Sequence, residues 1–141
     1  MNTYNAAFFG LYENWFKTIK KEFGENEALR LFRTVMEEGL SQAYGSDFDK
    51  GSTKEFVRLV GERDQNVGLE VSFPMVEQDK LIYRFHTDPF PHLKGVVDSH
   101  RLDDTYIRFK VNFILGQQWH YENVCHIWSG ASYTEFLIQK M

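Results

Sequence analysis

Apolar residues recur three and four apart from Tyr4 to Phe23, where Phe8, Leu11, Tyr12, Trp15, Phe16, Ile19 and Phe23 form one stripe. Glu13, Asn14, Lys17, Lys20 and Lys21 fall on the other side, so the pattern predicts an amphipathic helix ended by Gly24. A second helix is predicted from near Asn26, with Ala28, Leu31, Phe32, Val35, Met36, Leu40 and Ala43 as its stripe and Gly45 at a left-handed C-terminal cap. After a polar turn, Ser52-Thr53-Lys54-Glu55 matches a capping box and opens a short third helix carrying Phe56, Leu59 and Val60.

The period then drops to two. Leu69, Val71, Phe73 and Met75 alternate with Glu70 and Ser72, and beyond a turn near Gln78-Asp79 Leu81, Tyr83 and Phe85 alternate with Arg84 and His86, which predicts an antiparallel hairpin. Trp119–Trp128 and Tyr133–Lys140, joined by Ser129-Gly130-Ala131-Ser132, predict a second one. Residues 102–115 fit both periods. Tyr106, Ile107, Lys110, Phe113 and Ile114 share one helical face, and Asp103, Asp104 and Gly116 are helix punctuation, so a helix is expected. The expected fold is one α+β domain over residues 1–141, order α-α-α-β-β-α-β-β. Its N-terminal helices should pack on one face of a four-stranded antiparallel sheet, burying Trp15, Phe16, Phe32, Val35, Leu59, Val71, Phe73 and Phe85.

With 141 residues, 43% hydrophobic and 16% aromatic, the chain suffices for one real core, and surplus rings could line a pocket. A net charge of -4 without a basic, aromatic-interleaved run argues against nucleic acid as a partner. No segment approaches the roughly 20 apolar residues of a membrane span, and the N-terminus lacks a signal-peptide pattern, so no membrane partner and a cytoplasmic location are expected. The lone Cys125 fits a reducing compartment. A small-molecule ligand is the expected partner, and a homo-oligomer stays open.

Chemistry concentrates in the C-terminal half. All five histidines lie between His86 and His126. His86 leaves a strand and Asp88 enters a proline-stiffened turn, a rigid setting for imidazole and carboxylate. Asp98-Ser99-His100 offers a carboxylate that could orient an imidazole, and Asp103-Asp104 could bind a metal, a cationic group or a helix N-terminus. His120, Glu122 and His126 share parity along one strand, opposite Trp119, Tyr121, Cys125 and Ile127. Catalytic candidates are therefore His86, Asp88 and His100; substrate-binding candidates are Asp98, Asp103, Asp104, His120 and Glu122. The spacings carry no strong metal signature, which leaves the cofactor unknown with a divalent metal among the options. Cys125 on the apolar face reads as a buried small hydrophobe rather than a nucleophile.

The N-terminal helix pair, Asp88-Pro89-Phe90 after the second strand, Leu102-Asp103-Asp104 opening the fourth helix, and Gly130 with Phe136 in the last turn and strand resemble the L-2-amino-thiazoline-4-carboxylic acid hydrolase-like family. The likeness spans most of the chain as a sparse pattern. Family members carry cysteines where this chain reads Asp88, Ser99-His100 and Thr134. The resemblance implies ring-opening hydrolysis of a cyclic amidine-like thiazoline, with His86 or His100 as base, Asp88 or Asp98 as orienting partner, and His120 with Glu122 as acid or substrate-holding side. The missing cysteines and the aromatic richness favour a second expectation, a non-catalytic small-ligand-binding or sensory domain. A purely structural or oligomer-forming domain is the third.

Overall fold

A computed structural model describes residues 3–141 as four helices and one four-stranded antiparallel sheet. Helices α1 (Ala6–Phe23), α2 (Glu25–Tyr44) and α3 (Thr53–Asn66) precede strands β1 (Val71–Val76) and β2 (Lys80–Phe85). A loop with a 3-10 turn at Pro91–Leu93 leads to α4 (Ser99–Ile114), followed by β3 (Trp119–Cys125) and β4 (Thr134–Lys140). The sheet order is β1-β2-β4-β3, so the two hairpins join through antiparallel β2 and β4. Helix α3 packs against β1 and α4 against β3, while the α1–α2 hairpin packs over α4. The α+β class and its element order are those the sequence predicted. Among the described residues no helix is long and apolar enough to cross a membrane.

Local signals act largely as expected. Gly45 takes a φ of 69° and returns its N–H to the Ser41 carbonyl. Ser52 Oγ accepts the Glu55 N–H at 3.3 Å, half of the capping box; the Glu55 carboxylate reaches the Asp49 N–H instead of closing the other half. The ambiguous segment is helix, but it starts earlier than Asp103. Asp98 is its N-cap, accepting the Arg101 N–H at 3.1 Å, and Asp103 and Asp104 lie in its second turn.

Two faces differ from expectation. On α1, Leu11 and Phe23 are exposed, whereas Phe9 and Glu13 are buried. The helix is rotated because the 88–97 loop lies against it and uses its polar groups. Glu13 accepts the His92 N–H at 2.7 Å and contacts its Nδ1 at 3.0 Å, Tyr4 Oη donates to the Pro89 carbonyl, and Lys20 Nζ donates to the Val96 carbonyl. The expected core holds at Phe16, Phe32, Leu59 and Phe85; Trp15, Val71 and Phe73 are half-buried, and Val35 is exposed.

On β3 the register slips by one residue. Asn123 pairs with Phe136 but Cys125 pairs with Glu135, so Val124 is an extra, bulged residue. A one-residue insertion exchanges the faces of everything beyond it. His126 therefore turns into the core and Cys125 joins Glu135 on the uncovered face, reversing the parity read from the sequence.

Phe90 links the layers. Its ring, 2% exposed, meets Phe9 of α1 at 5.5 Å, Phe32 of α2 at 5.5 Å and Tyr106 of α4 at 6.0 Å, in edge-on or inclined geometry. Phe90→Ala should cost about 3–5 kcal/mol of unfolding free energy, as expected for emptying an aromatic site that touches three elements. Urea denaturation of the variant checks this; a loss under 1 kcal/mol would show that the loop is not part of the core.

Candidate functional site

Three polar residues of the interior share one face of α4. Asp103, Tyr106 and Lys110 sit at i, i+3 and i+7, and all three are buried. Lys110 is 3% exposed. Its Nζ donates to Asp64 Oδ1 of α3 at 3.3 Å and to Tyr83 Oη of β2 at 2.9 Å, and Tyr83 Oη in turn donates to Asp64 Oδ2. Both carboxylate oxygens are thus engaged. The ammonium also lies 5.2 to 5.6 Å from the ring centres of Tyr83, Phe85 and Tyr106, whose faces attract a cation.

Burial pushes the Lys110 ammonium below the ordinary lysine value; the Asp64 carboxylate opposes that shift and Arg63 adds to it. Burial, with Asp64 as the nearby negative charge, pushes the Tyr83 phenol well above its usual range. The same cause, with Asp103, raises Tyr106. Tyr44, also buried, is raised likewise, and its hydroxyl has no hydrogen-bond partner among the described residues.

Beside this network opens a cleft with about 40 Å³ of interior space, continuous with solvent at its mouth. Its walls are Phe8, Phe9 and Tyr12 of α1, Met36, Gly39 and Leu40 of α2, and Arg63, Asp64 and Val67 of α3. Phe85, Phe90, Tyr106 and Lys110 complete the lining. Gly39 stands in mid-helix, where glycine costs about 1 kcal/mol against alanine, and a Cβ built there meets nothing within 4 Å. Gly39 is among the residues that line the cleft.

A smaller cavity of about 10 Å³ shares Phe85, Pro89, Phe90 and Tyr106 with the first and is lined on its far side by Asp88, Asp103, His126 and Trp128. The Trp128 backbone N–H donates to His126 Nδ1 at 3.0 Å, which places the ring proton on Nε2, 2.9 Å from Asp103 Oδ2. Tyr106 Oη donates to the other Asp103 oxygen at 3.1 Å. Asp88 accepts Trp128 Nε1–H at 2.7 Å and the Phe90 N–H at 3.0 Å; burial raises its carboxyl above the ordinary range and those two bonds oppose the rise. Both nitrogens of His126 are occupied, so it offers no free lone pair for proton transfer.

The eight residues singled out from sequence do not converge. His86 is exposed at one end of β2, where its Nε2 contacts Ser72 Oγ at 2.8 Å. His120 and Glu122 share the uncovered sheet face, as read, but His120 is at the other end and Glu122 in mid-strand. His120 pairs with Gln139, which pairs with Lys80, six residues before His86 and about 20 Å away at roughly 3.3 Å per residue. His100 is exposed in the first turn of α4, and the carboxylate of Asp98 caps that helix. Asp104 is held by Arg33 at 3.0 Å, Arg108 at 2.9 Å and the Tyr121 hydroxyl. Burial works against its ionisation, yet these bonds leave the carboxyl below its usual range. Asp88 and Asp103 line the smaller cavity together.

Among the described residues no group of three or more His, Cys, Asp or Glu side chains is arranged to hold a metal ion. The residues missed were Lys110, Asp64, Tyr83, Arg63 and Gly39. Three of them left a signal: Lys110 interrupts an apolar helical face, Asp64 extends the Phe56-Val60 stripe by one turn, and Gly39 lies beside Met36 and Leu40. No protein-family model matches the chain, and no curated protein matches it.

Two predictions test the network. Lys110→Met leaves the Asp64 carboxylate buried without its cation and should cost about 3–5 kcal/mol, whereas pairing it with Asp64→Leu should cost less than the sum of the two single changes. Urea titrations of the three variants give the coupling; additive losses would show that the ion pair is not one unit. Tyr44, Tyr83 and Tyr106 have raised folded-state values, so the stability from burying them protonated is full below the ordinary value of 10.0 and is lost as pH rises through the higher folded values. In an alkaline titration followed by ultraviolet phenolate absorbance, these three should ionise only with unfolding.

Proposed function

We propose that the protein is a small-molecule-binding domain whose ligand occupies the cleft between α1, α2 and α3. The observation that carries the reading is an apolar, ring-lined cleft with a buried Lys110-Asp64-Tyr83 network at its base and open space kept beside Gly39. Mostly apolar walls with few fixed polar groups describe a binding pocket. The network is preorganised, because each member is bonded to the other two.

The thiazoline hydrolysis implied by the family resemblance requires a base on water and an acid on the leaving atom. His86 and His100 lie in solvent and away from the cleft, and Asp88 is engaged by Trp128 and Phe90, so binding without turnover is the better-supported reading.

Titration with N-phenyl-1-naphthylamine, a neutral dye that fluoresces in apolar surroundings, should give saturable one-to-one binding. Gly39→Trp should abolish it by filling the cleft, while Gly39→Ala should retain it and gain about 1 kcal/mol of stability from helix propensity. Binding by a correctly folded Gly39→Trp variant would remove the cleft as the site. Incubation with 2-amino-thiazoline-4-carboxylate should give no ring-opened product, and its consumption would restore the hydrolase reading.

A further inference from the structure

We infer that the ligand is a monocarboxylate with an apolar body, its carboxylate held by Arg63 and its body lying among the rings of the cleft; this rests on the ligand-binding reading above. Charge balance carries the inference. Three formally charged side chains line the cleft, and the Lys110 cation is matched by Asp64, both of whose oxygens are already bonded. Arg63 is left over. Its guanidinium lies over the Phe8 ring at 5.4 Å, and it forms no ion pair among the described residues. The lining therefore carries one uncompensated positive charge.

A neutral ligand would leave that charge unmatched beside apolar walls. A dianion would bring a second negative charge that no cation of the cleft can meet, and desolvating it would cost several kcal/mol. One carboxylate matches the guanidinium in charge and in its two-pronged geometry. The remaining surface is ring and aliphatic side chain, including Phe9, Tyr12, Met36 and Leu40, and calls for an apolar body. Arg63 also stands in the last turn of α3, where exposed carbonyls favour a cation. That accounts for a basic residue at this end of the helix, but not for its place on the wall of an unfilled apolar cleft.

The test uses octanoate and octanamide, which match in size and differ in charge, as competitors for the bound naphthylamine dye at neutral pH. Octanoate should displace it at about tenfold lower concentration than octanamide. In Arg63→Met the octanoate advantage should disappear with octanamide unchanged, and Arg63→Lys should restore part of it. Equal displacement by the two competitors in the unmodified protein would overturn the carboxylate inference and leave the binding reading intact. So would an octanoate preference that survives Arg63→Met. Absence of any saturable dye binding would overturn both.

Discussion

The structure is organised around one buried cation. Moving an ammonium out of water costs several kcal/mol, so Lys110 can reside in the interior only where counter-charge and hydrogen bonds meet it. Asp64 and Tyr83 supply them, which ties α4 to α3 and to β2 at a single point. Because a fully engaged network tolerates little displacement, the two helices that lie on the sheet are held in relative position. The rings of Tyr83, Phe85 and Tyr106 then close around the ammonium.

A second polar seam runs from the same helix face. Asp103, one turn before Tyr106, receives His126 and the Tyr106 hydroxyl, and Trp128 bridges from that turn to Asp88. The 88–97 loop is thereby fixed at one side by the β3–β4 connection and at the other by Tyr4, Glu13 and Lys20 of the N-terminal segment. Phe90 fills the space between the seams and forms part of the wall of both cavities. Residues that look catalytic by type are here consumed in holding the loop, which is why Asp88 and His126 stand in the interior with their hydrogen-bonding atoms occupied.

What the arrangement leaves free is space and one charge. The cleft is bounded by three helices whose positions the Lys110 network and Phe90 restrain, and among the described residues Arg63 is the charged side chain of its lining that forms no ion pair. The proposed retention of a small molecule would draw on these mainly apolar walls and this single charge.

The helix pair, the capping serine, both hairpins and the α+β class were determined by local pattern, since periodicity and turn chemistry act within a few residues. Tertiary structure decided the site. A single bulged residue at Val124 reversed the faces of Cys125 and His126, and parity counting has no means of detecting an inserted residue. The loop against α1 turned Glu13 inward and Leu11 outward, because the Glu13 carboxylate accepts the His92 N–H of the 3-10 turn at Pro91. The five histidines are close along the chain but spread over both ends of the sheet, the 3-10 turn and α4, since clustering in sequence says nothing of where the elements pack. Lys110 was visible as a lysine in an apolar stripe; that it belonged with Asp64 and Tyr83, 46 and 27 residues away, depended on packing three elements together.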